Sequence, residues 1–238
     1  YCLKPMLRQV EKTTFNSASH INLVSAGFKN YFEDNFACNS YSYFTNGIDE
    51  LFIDNLPKIK VNETKKTVLY AGNVGEGQGL HNILPNLAKT NPKYHFLIIG
   101  DGGRKNALIE SSKDIANIEL LPPVTRRELL AYYMESDILF LHLNDYAAFE
   151  KVLPSKIFEY AATGKPILAG VSGYARRFIE AEVVNASIFE PCDVQSGSNA
   201  LKSLRLNAHT SRGEFVRKFE RAKIMKNMAA SILKVFSK

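Results

Sequence analysis

Strand-like apolar runs alternate with helical patterns along most of the chain. The runs fall at residues 67–71, 95–99, 118–121, 138–143, 167–169 and 187–189, with segments between them long enough for crossover helices. That alternation predicts an α/β protein with a mostly parallel sheet. One helix is marked to begin at Thr125, where Thr125 and Glu128 form a capping box and Leu129, Leu130, Tyr132 and Tyr133 supply an apolar stripe; it should end near Asp137. Another should start at Pro154, a residue favoured in a first helical turn, and run to Thr163, where Gly164 stops it and Lys165-Pro166 leads into the next strand.

The first 60 residues read as helix (4–13), strand (21–25), helix (26–35) and strand (41–44), too little to bury both faces of a sheet. A turn at Asn46-Gly47 and a polar, lysine-rich stretch at 57–66 follow, and the stretch reads as an interdomain linker. The expectation is therefore a piece of a longer protein. It would hold the tail of one domain, then the linker, then an α/β domain with a basic C-terminal segment.

Composition narrows the class. With 45% apolar and 23% charged residues, the chain is neither a disordered tail nor a collagen-like or coiled-coil sequence. No run approaches the roughly 18 apolar residues of a spanning helix, and Tyr1-Cys2-Leu3-Lys4-Pro5 does not open a signal peptide, so an intracellular location is expected. Cys2, Cys38 and Cys192 are too few and too scattered for a disulfide framework or a zinc site. The net charge of +6 is concentrated from Leu201 onward, where ten Lys and Arg face only Glu214 and Glu220. A solvated helix face, an anionic membrane surface or a nucleic-acid groove could each use it. Stacking aromatics are missing there, which argues against nucleic acid.

Three motifs carry chemistry. Gly72-Asn73-Val74-Gly75-Glu76-Gln78 and the glycines 77 and 79 follow a strand and open a helix, so backbone amides there can approach an anion closely; phosphate is the natural ligand. No G-x-G-x-x-G register fits these positions, although a nicotinamide-binding domain using Asp101 on a ribose remains a competing reading. Ile99-Gly100-Asp101-Gly102-Gly103-Arg104 lies at another strand end. There Asp101 suits a helix cap, and Arg104 is placed to reach a phosphate. At Lys151 to Tyr160, Ser155 and Lys156 stand at a helix start and can hold a diphosphate, while Glu159, one turn on, can accept two hydrogen bonds from a ribose diol. The plain alternative is a surface Lys156–Glu159 ion pair worth about 0.2–0.5 kcal/mol.

Taken in order, these pieces resemble the group 1 glycosyltransferases (glycosyltransferase family four). The likeness rests on Asn46-Gly47-Ile48-Asp49, Gly72 to Leu80, Ile99 to Gly102, Glu128 to Asp137 and Pro154-Ser155-Lys156-x-x-Glu159-Tyr160-x-Ala162-x-Gly164-x-Pro166. The resemblance implies a GT-B fold, that is, a Rossmann-like nucleotide-sugar-binding domain (61–208) beside a fragment of a second, acceptor-binding Rossmann-like domain with its linker (1–60), and a single basic amphipathic C-terminal helix (209–238) packing back toward that second domain. It places the donor diphosphate on Gly72, Asn73, Gly75 and Gln78, with Arg104, Lys151, Ser155 and Lys156 as polar neighbours. It places the ribose on Glu159 and the base beside Pro122, Pro123 and Val124. Two departures stand out: Asn73 and Gln78 occupy positions where the family commonly has Arg and Lys, and Lys151 takes the place of the first Glu of its E-x7-E motif.

The form of the motifs is similar to O-antigen and capsule transferases of the N-acetyl-L-fucosamine type. It implies a retaining transferase that uses a nucleotide-diphosphate sugar, UDP-linked, and a saccharide or lipid-linked acceptor at the cytoplasmic face of the membrane. No D-x-D sequence is present, so neither a metal nor another cofactor is expected, and no catalytic residue can be named. The acceptor half being absent, this chain is expected to bind donor without turnover. A GT-B nucleotide-sugar epimerase or a non-catalytic nucleotide-binding module are the alternatives.

Overall fold

The computed structural model describes residues 3–37, 40–54, 66–206 and 210–236. Its centre is a sheet of six parallel strands, β3 (Lys66–Asn73), β4 (Tyr94–Asp101), β5 (Ile118–Leu121), β6 (Ile138–His142), β7 (Ile167–Gly170) and β8 (Ala186–Phe189), preceded by two short strands, β1 (Ile21–Leu23) and β2 (Tyr41–Tyr43). The spatial order β5-β4-β3-β6-β7-β8 is that of a doubly wound Rossmann sheet, and the chain reverses direction of travel between β3 and β6. The six predicted runs are these six strands. Every residue of β6 and β7 is buried, as helices on both faces require.

One face of the sheet is covered by α4 (Leu80–Thr90), α5 (Lys105–Ser112) and α9 (Val194–Ser203), which join a cluster around Val68, Ile98, Phe140 and Phe189. The other is covered by α6 (Arg126–Glu135), α7 (Lys156–Ala162) and α8 (Gly173–Glu182), together with α3 (Leu51–Asp54), α10 (Gly213–Phe219) and α11 (Arg221–Phe236); its cluster includes Leu69, Leu141, Tyr133 and Phe158. The expected capping box is present: Thr125 Oγ1 accepts from Glu128 N at 3.3 Å, and Glu128 Oε2 accepts from Thr125 N at 2.8 Å. Hydrogen bonds from Thr125 Oγ1, at 2.7 Å, and then from Thr125 N hold the Glu128 carboxyl below the usual carboxylate range. At the stop of α7, Gly164 adopts φ 75° as anticipated.

The N-terminal piece forms α1 (Leu3–Asn16), β1, α2 (Lys29–Asn35) and β2, close to the predicted elements, with β1 and β2 parallel. Its own core is four buried residues, Ile21, Leu23, Phe32 and Phe36. Residues 57–65 of the proposed linker lie outside the described residues, as do 207–209, where the second expected boundary falls. Lys66, at the linker's end, opens β3, and its ammonium sits 3.3 Å from Asp137.

The basic C-terminal segment differs from the single amphipathic helix expected. It is two helices broken at Glu220, where the backbone turns extended (φ −57°, ψ 123°) and bridges to Ile48: Ile48 N donates to Phe219 O at 2.7 Å, and Arg221 N to Ile48 O at 2.9 Å. The break resets the helical phase. Phe215 and Phe219 are buried ahead of the break, and beyond it Ile224 turns inward while Met225 is left 38% exposed.

Candidate functional site

The crevice outside the carboxyl ends of β3 and β6 is where a doubly wound sheet offers a ligand site, because adjacent loops part there in opposite directions. The glycine loop leaves the end of β3, and residues 143–155 leave the end of β6 and lead to α7. A cleft of about 280 Å³ lies beside them, lined by Ala71 to Asn73, Ile99 to Asp101, Pro123, Val124 and Leu129. The structure thus brings Gly72 and Asn73 together with two of the three residues assigned to the base. Pro122 is exposed and does not line this cleft.

Lys156 is the first residue of α7, and its side chain reaches back under the glycine loop. A Cβ on Gly72 (φ 147°) would stand 2.8 Å from its Cε and 2.9 Å from its Nζ, so the missing side chain at 72 makes room for the lysine. The ammonium lies 5.7 Å from the Tyr160 ring centre, and among the described residues no carboxylate comes within 4 Å of it. Burial pushes its pKa down, and the charge of nearby Glu159 offsets this only in part. A half-buried cation with no carboxylate in contact is costly, and an anion in the crevice would relieve that cost. The surface Lys156–Glu159 pair considered from the sequence does not form.

Glu159 is engaged elsewhere. Tyr133 Oη donates to its Oε2 at 3.2 Å, and Arg126 Nη2 is 3.7 Å from its Oε1. Arg126 also lies 3.2 Å from Asp49, which in turn holds Arg221 at 3.0 Å. This chain of charges runs from α7 through the start of α6 to the C-terminal helix. Sequence reading missed Arg126 and gave Asp49 no role, because nothing in their spacing links positions 49, 126, 159 and 221.

The polar side chains of the glycine loop are largely spent on the loop itself. Gln78 Oε1 accepts from Asn73 Nδ2 at 2.9 Å and from Gly75 N at 3.2 Å. Glu76 pairs with Arg104 and accepts from Tyr146 Oη at 2.5 Å; the hydrogen bonds from Tyr146 and Arg104 hold its carboxyl below the usual range. Asp101 caps no helix: its Oδ1 accepts from Gly102 N at 2.7 Å, and Lys105 pairs with it at 3.7 Å. Arg104 itself stands at the start of α5. Ser155 is exposed at the N-terminus of α7 and makes no capping bond. Lys151 ends the turn Ala147–Lys151, where its carbonyl accepts from Ser25 Oγ at 2.6 Å and so ties the N-terminal piece to the rim of the crevice.

Fold order, glycine loop and α7 together define a Rossmann-like α/β domain of the GT-B kind. Residues 52–222 match the family model of glycosyl transferases group 1, and the chain belongs to that family. It is 31% identical over 105 residues to the putative colanic acid biosynthesis glycosyl transferase WcaI of Escherichia coli K12, a match covering 43% of this chain and 26% of that protein. Among solved structures it is similar to Anabaena HepE in complex with UDP and glucose (TM-score 0.77, 16% identity, 95% of this chain and 66% of the other). It is also similar to the lipopolysaccharide outer core galactosyltransferase WaaB (TM-score 0.70, 16% identity, 91% and 62%). The chain therefore spans about a quarter of the curated relative, by the matched share, and just under two thirds of these structural neighbours. No helix among the described residues is long and apolar enough to cross a membrane.

Proposed function

We propose that this chain is the donor-binding part of a retaining glycosyltransferase that moves a sugar from a nucleoside diphosphate, a UDP-sugar, to a saccharide or lipid-linked acceptor in surface-polysaccharide synthesis. The observation that carries the reading is the half-buried Lys156 ammonium, held against Gly72 at the switch point of the sheet with no carboxylate within 4 Å among the described residues. Glu159, on the same helix, is the ribose ligand; Pro123 and Val124 border the base. HepE, solved with UDP and with UDP-glucose, supports the choice of base, and the names of WcaI and WaaB support a polysaccharide or lipopolysaccharide product.

In transfer, the bond from the sugar's anomeric carbon to the diphosphate breaks and negative charge grows on the departing oxygen. A cation already positioned and desolvated there stabilises that charge with little reorganisation. Lys156 performs this role, with the glycine loop beside it facing the phosphates. Calorimetry of this chain with UDP and with uridine tests the reading: UDP should bind far more tightly, and equal affinities would reject it. Sugar transfer by the full-length protein, with the product's anomeric configuration read by NMR, tests the retaining assignment.

The enzyme works at the inner face of the cytoplasmic membrane in this reading. Lys223 and Lys226 stand exposed on α11 beside exposed Met225, Ile232 and Leu233. Each such basic residue near an anionic surface contributes about 1 kcal/mol. Co-sedimentation should show binding to anionic vesicles at low salt that neutral vesicles do not match; the absence of that preference would remove the membrane role.

A further inference from the structure

Behind the glycine loop, at the end of β6, lie two buried polar residues that the donor reading does not use. His142 is 1% exposed and Asn144 is 4% exposed. Three consecutive carbonyls of the loop accept hydrogen bonds from this short segment. Asn144 Nδ2 donates to Glu76 O at 2.9 Å, Asn144 N to Gly77 O at 2.8 Å, and His142 Nδ1 to Gln78 O at 2.6 Å. In a trans peptide the C=O and the following N–H point in opposite directions, so fixing these carbonyls fixes the orientation of the amides of residues 77 to 79.

Both side chains are themselves fixed. His142 Nε2 accepts from Cys192 N at 3.0 Å, which leaves the ring proton on Nδ1, where it must be in order to donate to the loop. Cys192 holds this position with φ 61°, a conformation uncommon for a residue with a side chain. Asn144 Oδ1 accepts from Asp145 N at 3.0 Å and from Cys192 Sγ at 3.3 Å, so its Nδ2 is the end that faces the loop. Gly79, with φ 58°, lies flush against the asparagine; a Cβ there would come within 2.8 Å of Asn144 Cγ.

We infer that His142 and Asn144 are positioning residues for the donor diphosphate, acting through the loop's carbonyls to hold its backbone in the phosphate-binding arrangement. The inference rests on the donor reading above. Strand order makes the arrangement possible: β3 and β6 are neighbours, so donors at the end of one strand meet the loop leaving the other. Burial makes it costly to disturb, since Gln78 O without the imidazole donor loses a short buried bond, and Glu76 O without Asn144 keeps the longer one from Gly79 N at 3.1 Å.

The test compares UDP and uridine affinities for the wild-type chain and for His142→Leu, His142→Asn, His142→Gln and Asn144→Asp, with amide hydrogen exchange of residues 75–79 in the unliganded chains. His142→Asn keeps a donor near the Nδ1 position, His142→Gln favours the Nε2 side, and Asn144→Asp turns the donor into an acceptor at constant size. His142→Leu and Asn144→Asp should weaken UDP about tenfold, leave uridine nearly unchanged and speed exchange in the loop. His142→Asn should recover more than His142→Gln. Wild-type chain that binds UDP no better than uridine would overturn the donor reading and this inference with it. A wild-type preference for UDP that all four variants keep, or equal losses for both ligands, would overturn the inference alone. Should His142→Leu fail to fold, the contrast between His142→Asn and His142→Gln decides the same question.

Discussion

The two lips of the crevice solve different problems. On the glycine-loop side the polar side chains are satisfied by one another: Asn73 with Gln78, Glu76 with Arg104 and Tyr146. On the α7 side Lys156 has no carboxylate within 4 Å among the described residues, and Glu159 is held by Tyr133 and a long contact to Arg126. A loop whose side chains are mutually occupied can offer a ligand mainly its backbone. The helix start offers charge. On the proposed donor reading, the cation that Asn73 and Gln78 do not supply comes from the opposite lip.

The loop side can be loosened from beneath by acid. Burial lowers the His142 pKa to about 4, the bond to Gln78 O opposing this. The unfolded chain takes up the proton near 6.5 and the folded chain only near 4, so stability present above about pH 6.5 should be lost as pH falls to 4, by roughly 3 kcal/mol. Denaturant midpoints at neutral and acid pH measure this, and His142→Asn should flatten the acid limb. An acid limb unchanged by that substitution would place the sensitivity elsewhere.

The charged lip is broken most directly by Lys156→Ala. A charge-assisted contact to phosphate is worth about 1.5–3 kcal/mol, so UDP should weaken by that amount and uridine hardly at all; equal losses would mean that Lys156 acts through structure. Because the lysine's pKa is depressed, the wild-type preference for UDP should fade with rising pH earlier than an ordinary lysine would dictate. Lys156→Met should, in contrast, raise the melting temperature of the unliganded chain, since it removes a desolvated charge.

Glu159→Gln keeps the shape of the proposed ribose ligand and should weaken its acceptance of two hydroxyls. The expected loss is about 1.5 kcal/mol for UDP and uridine alike, which separates it from the lysine variant. Unchanged affinity for both, with the fold intact, would withdraw Glu159 from the site. The smallest effect belongs to Arg104→Ala: its partner Glu76 is exposed and the pair sits in solvent, so UDP affinity should change by less than about 0.5 kcal/mol. A tenfold loss would show that Arg104 leaves Glu76 for the phosphate when donor binds, and would make the two lips less different than they stand here.

Much of this molecule is local enough to be legible in the chain. The six strands, the Thr125–Glu128 cap, the stop at Gly164 and the placement of glycines at the end of a strand depend on residues within a few positions of each other, where propensity and hydrogen-bond reach are short-range. The family likeness read from those motifs rests on the same local spacing. Tertiary structure alone decided which polar groups meet. Arg126 finds Glu159 and Asp49, His142 and Asn144 find the carbonyls of 76–78, and Glu220 breaks a helix to pair with Ile48, 172 residues earlier in the chain by their numbering. Such partners are set by strand order and by the folding of distant segments onto one sheet edge. No periodicity along the chain encodes them, because a hydrogen bond depends on distance in space and is indifferent to separation in sequence.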